Sequence, residues 1–95
     1  MPQLRKISKN NTAVVHNADT TTVILHGTPI VTITPEHIVL NTGGFNTATT
    51  RNRMNQVSNQ LNLGYKVYIR SGYTFVDFKG KTYSFDNYLV KLLRT

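Results

Sequence analysis

The stretch TRNRMNQVSNQLNLGYKVYIR, residues 50–70, sets a helical period beside a strand period. Met54, Val57 and Leu61 recur at i, i+3 and i+7, which places them on one face of a helix. Thr49 or Thr50 suits the N-cap, because a threonine hydroxyl accepts from an N–H that the first turn leaves unpaired. Gly64 stands where helices commonly reverse. The pattern predicts a helix over about residues 50–62. From Tyr65 the period changes to two: Tyr65, Val67 and Ile69 alternate with Lys66, Tyr68 and Arg70, as in a half-buried strand.

Working outward, Ser71-Gly72 and Lys79-Gly80 are turn pairs, so residues 73–78 and 81–85 read as two further strands of a meander. Asp86 or Asn87 then suits the cap of a short C-terminal helix with Leu89, Leu92 and Leu93 on one face. Such a face would pack on the sheet or on a second copy of the chain. Upstream, residues 20–25, 30–34 and 37–41 are β-branched and apolar runs separated by Gly27-Thr28-Pro29 and Pro35-Glu36, a second three-stranded meander. Residues 1–18 read as a flexible basic arm with a short strand at 13–16, and residues 19–95 as one α+β domain. The expected architecture is an antiparallel sheet from two three-stranded meanders with the helix packed on it, burying Met54, Val57 and Leu61.

The chain's 95 residues suffice for one domain. It has no cysteine, which excludes disulfides, thiolate metal sites and a cysteine nucleophile. No apolar run approaches the length of a membrane span, and residues 1–9 lack the apolar core of a secretory signal. A cytoplasmic location with no membrane partner is the expectation. Eleven Lys and Arg against Asp19, Glu36, Asp77 and Asp86 give a net charge of +7, a field that draws polyanions. The same charge also serves plain solubility.

Three constellations are candidates for binding. Thr42-Gly43-Gly44 ends a strand and leads through Thr47, Thr49 and Thr50 to a helix opening with Arg51 and Arg53. Free N–H groups at a helix start, close-approach glycines and forked guanidinium groups suit a phosphate, although the spacing is not that of a P-loop. The competing reading is a tight turn and an ordinary cap. The helix carries Asn52, Asn55 and Asn59 on one flank, side chains that read base edges or simply stay hydrated. Lys66, Tyr68 and Arg70 share a strand face that neighbouring strands could extend with Tyr73 or Phe75, a mix suited to stacking on bases, or to a solvated face.

Catalytic chemistry finds little support. His26-Gly27-Thr28 has the His-x-Thr form that two-histidine phosphoesterases use in facing pairs, but neither His16 nor His37 supplies the second motif. The acids are scattered, with no metal spacing, so no cofactor and no enzyme activity are expected.

Leu25-His26-Gly27-Thr28, Leu40-Asn41-Thr42-Gly43-Gly44-Phe45 and Thr49-Thr50-Arg51-Asn52-Arg53-Met54-Asn55-Gln56, followed by Val67-Tyr68, Gly72 and Phe75-Val76, resemble a group of small proteins of tailed bacteriophages. The resemblance spans about residues 23–85. Related proteins carry Trp where this chain has Phe45 and Phe75. It implies phage origin and expression in the bacterial cytoplasm, and it transfers no catalytic residue. The resulting expectation is a non-catalytic protein that binds DNA or RNA. The alternative is a phage accessory or counter-defence protein that binds a host protein or a small nucleotide signal, with a homo-oligomer built through Leu89, Leu92 and Leu93.

Overall fold

A computed structural model describes residues 12–43, 48–85 and 88–94. Four strands come first: β1 (Thr12–Asn17), β2 (Thr20–Leu25), β3 (Thr28–Ile33) and β4 (His37–Asn41). The helix α1 (Ala48–Leu61) follows, then β5 (Tyr65–Arg70), β6 (Tyr73–Phe78), β7 (Lys81–Ser84) and β8 (Leu89–Leu93). All pairings among the described strands are antiparallel, so the chain is α+β. They form a five-stranded sheet in the order β1-β2-β3-β4-β8 and a three-stranded sheet in the order β5-β6-β7. The strand expected at 13–16 is present as β1, an edge strand. Residues 1–11 of the expected basic arm lie outside the described residues.

The hairpin turns follow from the sequence. His26-Gly27, Ser71-Gly72 and Lys79-Gly80 each hold two consecutive residues at positive φ. That geometry matches the right-handed twist of the strands it joins, and glycine at the second position removes most of its steric cost. The break expected at Gly27-Thr28-Pro29 is therefore narrower, and Pro29 lies inside β3 opposite Ile24. The register shifts there, leaving Ile30 as an extra residue between Pro29 and Val31, a β-bulge. The bulge turns Ile30 inward with Val31, and both are buried.

The expected C-terminal helix is a strand. Residues 89–93 fit a helical spacing through Leu89, Leu92 and Leu93, and equally an alternation through Val90 and Leu92. Five residues are too few to offset helix nucleation, whereas β4 offers a complete edge. β8 takes that edge over its whole length, from His37↔Leu93 to Asn41↔Leu89. The Thr42 N–H donates to the Tyr88 carbonyl at 2.9 Å and the Arg94 N–H to the Glu36 carbonyl at 2.8 Å, tying both ends. Val90 and Leu92 point into the core, while Leu89 and Leu93 lie 44% and 57% exposed on the opposite face. A leucine surface for a second copy thus lacks Leu92, which is fully buried.

One core joins both sheets and the helix. Val23, Val31, Ile33, Ile38, Leu40, Val90 and Leu92 of the large sheet meet Met54 and Val57 of α1 and Tyr65, Val67, Val76 and Phe78 of the small sheet. The buried face of α1 is Thr50, Met54, Val57 and Ser58, and the expected third apolar member, Leu61, is 37% exposed. The helix starts at Ala48, two residues earlier than expected, so Thr49 and Thr50 sit within its first turn instead of capping it. It ends in a Schellman motif: Asn62 is left-handed and the Leu63 N–H donates to the Ser58 carbonyl at 2.9 Å, so Asn62 takes the place expected of Gly64.

Two polar side chains of the helix do structural work that its composition conceals. Ser58 Oγ accepts from the Tyr65 N–H at 3.0 Å and donates to the Tyr65 carbonyl at 2.7 Å. Two residues on, Asn55 accepts from the Val67 N–H at 2.7 Å and donates to the Val67 carbonyl at 2.9 Å. These side chains replace a neighbouring strand along the open edge of β5. The Tyr65 hydroxyl returns to the helix, donating to the Met54 carbonyl at 2.6 Å.

Removing either side chain leaves main-chain groups of buried Tyr65 or Val67 unpaired, at about 1–3 kcal/mol. Asn55→Ala and Ser58→Ala should each lower unfolding free energy in urea by that amount, whereas exposed Asn52→Ala should leave it within about 0.5 kcal/mol. Burial also pushes the Tyr65 hydroxyl above the ordinary tyrosine range. Above about pH 10 the unfolded chain releases this proton while the folded chain keeps it, so this contribution to stability falls as pH rises. Tyr65→Phe should cost about 1 kcal/mol near neutrality and flatten the alkaline decline, read from urea midpoints at about pH 7 and about pH 11.

Candidate functional site

The alternation of β5 puts Lys66, Tyr68 and Arg70 on the face turned away from the core, and the pairing register builds a surface around them. Lys66 lies opposite Asp77, Tyr68 opposite Phe75 and Arg70 opposite Tyr73. Phe75 in turn lies opposite Ser84, and Asp77 opposite Thr82. Residues directly opposite in a ladder share a face, so these eight side chains form one surface. The Tyr68 and Phe75 ring centroids are 6.0 Å apart with the planes tilted by 32°. Tyr73 is 71% exposed. Both residues anticipated as aromatic extensions of the strand, Tyr73 and Phe75, are on it.

Asp77 is the one acid of this surface. Thr82 Oγ1 donates to Asp77 Oδ1 at 2.7 Å and the Tyr68 hydroxyl to the same oxygen at 2.9 Å. These two hydrogen bonds, with the charges of Arg70 and Lys66 adding, hold the carboxyl below its usual range. The carboxylate thereby anchors the Tyr68 ring in place. Sequence reasoning passed over Asp77 and Thr82, which become a pair only through strand register.

The Thr-Gly-Gly constellation assembles in part. A cavity of about 330 Å³ is lined by Leu25, His26 and Thr28 around the first hairpin turn, Ile30 of β3, Thr42 after β4, and Thr49 and Thr50 of the helix start. Three separate sequence motifs therefore meet at one hollow. Gly43 packs at its border with φ of +66°, its N–H donating to Asn41 Oδ1 at 2.8 Å. A Cβ there would lie 2.6 Å from Thr28 Cγ2, so glycine lets the β4 end approach the hairpin. Gly44 and Thr47 lie outside the described residues.

The arginines do not join this hollow. Neither Arg51 nor Arg53 lines it, and Arg53 Nε donates instead to Thr12 Oγ1 of β1 at 3.2 Å. The asparagine flank is divided: Asn52 and Asn59 are exposed, while Asn55 is committed to β5. His26 forms a turn at φ +51° and is the one titratable side chain among the described residues lining the cavity. Among the described residues, no cluster of His, Asp or Glu could hold a metal ion, and no helix is long and apolar enough to cross a membrane.

A second hollow, about 490 Å³, lies where the two sheets meet. Its walls are Gly72, Tyr73, Thr74, Phe75, Ser84 and Phe85 of the small sheet, with Thr42 and Tyr88 from the ends of β4 and β8. Thr42 lines both hollows. Phe85 and Tyr88 carried no signal in the sequence, because their neighbours there come from distant segments.

Gly43→Ala should destabilise the fold by about 1–3 kcal/mol more than Gly27→Ala, since both positions have positive φ but only Gly43 adds a clash. Thr28→Ser, which deletes the clashing methyl group, should recover part of that difference in paired urea titrations.

No curated protein and no solved structure matches the chain. A family model described as Kyanoviridae Gp96 protein matches residues 2–91, nearly the whole length. The hairpin, Thr-Gly and helix-start motifs that resembled phage proteins, and that converge on the first hollow, lie within this span. The chain belongs to the Kyanoviridae Gp96 family of phage proteins.

Proposed function

We propose that this phage protein is a non-catalytic binder of single-stranded nucleic acid, acting in the host cytoplasm through the outer face of β5-β6-β7. The observation that carries the proposal is the ladder register, which sets Tyr68 and Phe75 side by side, with Lys66 and Arg70 flanking Tyr68 along β5. Unpaired bases stack on aromatic rings whatever their identity, while cations along the same strand meet the phosphates. A net charge of +7 raises the encounter rate with any such strand. The helix flank contributes less to this reading than its composition suggests, because Asn55 is engaged with β5.

The accessory-protein alternative draws on the first hollow, where a small ligand would meet threonine hydroxyls and one histidine. None of the described residues lining it is Lys or Arg, which weakens its case as a nucleotide-phosphate site.

Fluorescence anisotropy with a labelled 15-nucleotide single strand, in DNA and RNA form, against a duplex of the same length, tests the proposal across a salt series. Single strands should bind more tightly than the duplex, with affinity falling as salt rises. Lys66→Ala and Arg70→Ala should each reduce the salt slope by about 0.7. Tyr68→Ala should cost about 1–3 kcal/mol of binding. Asp77→Asn should tighten binding, because it removes a like charge from the path of the phosphates. Absence of binding at low salt, or preference for the duplex, overturns the assignment.

A further inference from the structure

We infer that the groove between the two sheets is a pocket for one unpaired nucleobase, held between aromatic rings contributed by both sheets. The inference rests on the single-strand reading and adds to it a specific base-receiving site. Four of the groove's residues are aromatic: Tyr73, Phe75 and Phe85 from the small sheet and Tyr88 from the large-sheet end. Tyr73 and Tyr88 are also the most exposed large hydrophobic side chains among the described residues, at 71% and 60%. Two rings left in water on the walls of one groove, one from each sheet, suit a flat ligand that would cover them.

Backbone strain is a second, independent observation. Tyr88 sits at φ +70°, a conformation that a residue with a bulky side chain rarely adopts. Its carbonyl accepts from the Thr42 N–H at 2.9 Å, so pairing with the end of β4 holds the strained residue in place. Strain of this kind persists only where the surrounding structure over-determines it, and such residues cluster at ligand clamps.

Chemistry and continuity decide the class of ligand. No carboxylate is among the described residues lining the groove, and Ser84 offers a hydroxyl that can both donate to and accept from a base edge. Phe75 and Tyr73 belong to the groove and to the basic face at once, with Tyr68 opposite the first and Arg70 opposite the second. A strand whose phosphates follow Lys66 and Arg70 therefore passes the groove mouth, where a base can leave the stack and enter. Aromatic grooves also take proline-rich peptides, but such a peptide has no use for the flanking cations.

The test uses the full chain and a single strand carrying 2-aminopurine at its centre, beside an otherwise identical strand with an abasic site there. The wild-type protein should change the 2-aminopurine fluorescence and bind the abasic strand roughly five- to a hundred-fold more weakly. Tyr88→Ala and Tyr73→Ala should lose that discrimination, and Tyr88→Phe, which keeps the ring, should retain it. Tyr73→Ala changes no positive-φ position, so it guards against a folding defect in the Tyr88 variant. Suppose instead that both alanine variants discriminate like wild type while Lys66→Ala and Arg70→Ala still weaken binding. The base pocket is then wrong and the sheet-face reading survives. If the wild type binds no single strand, both fall. If a proline-rich peptide binds the groove and the strand does not compete, the groove is a peptide site and the inference is overturned.

Discussion

Four hydrogen bonds exchanged between the Asn55 and Ser58 side chains and the main chain of Tyr65 and Val67 hold the structure together at its least self-sufficient point. The helix has no acidic residue in its first turn and no basic residue in its last, so its dipole is uncompensated by side-chain charge. It buries only Met54 and Val57 among its large apolar residues. A helix of that kind owes its stability to docking more than to intrinsic propensity. The three-stranded sheet has the matching need, since an open β5 edge would expose unpaired N–H and carbonyl groups. Each element satisfies the other, and the helix thereby sets where the small sheet sits relative to the large one.

That placement leaves the outer face of β5-β6-β7 in solvent. On the inner face Tyr65, Val67, Val76 and Phe78 are buried in the common core. With a period of two, burying those residues forces Lys66, Tyr68, Arg70, Tyr73 and Phe75 outward together. The basic and aromatic surface is thus the other side of the core, held by the same register. Asp77 adds local order by binding the Tyr68 hydroxyl, at the expense of one negative charge on an otherwise cationic face.

The return of the chain to β4 as β8 has a comparable consequence. It covers the β4 edge, becoming the outermost strand itself with Val90 and Leu92 inward, and it brings Tyr88 to the end of β4. The groove between the sheets exists because of that return. Thr42, the residue after β4, lines the groove on one side and the His26 hollow on the other. The two hollows share a lining residue whose N–H also holds the Tyr88 carbonyl.

Much of this was legible from local chemistry. The X-Gly pairs at Ser71-Gly72 and Lys79-Gly80 placed two hairpins, because two-residue turns demand positive φ and glycine accepts it. The alternation of residues 65–70 placed β5 and separated its wet face from its dry one, since side-chain direction in a strand depends only on position. The polar middle of the chain, too regular in its period for a loop, placed the helix. What required the tertiary structure were the features decided by partners distant in sequence. LVKLL is a strand because β4 had an edge to share, a fact absent from five residues of sequence. Asn55 and Asn52 are one residue type on one flank of one helix, yet only Asn55 meets an unpaired strand edge. Leu61 keeps the helical period but reaches past the end of the core. Tyr88 acquires its place in the groove from the pairing of β8 with β4 and from its bond to Thr42. Periodicity reports which way a side chain points, and only the packed fold determines what it meets there.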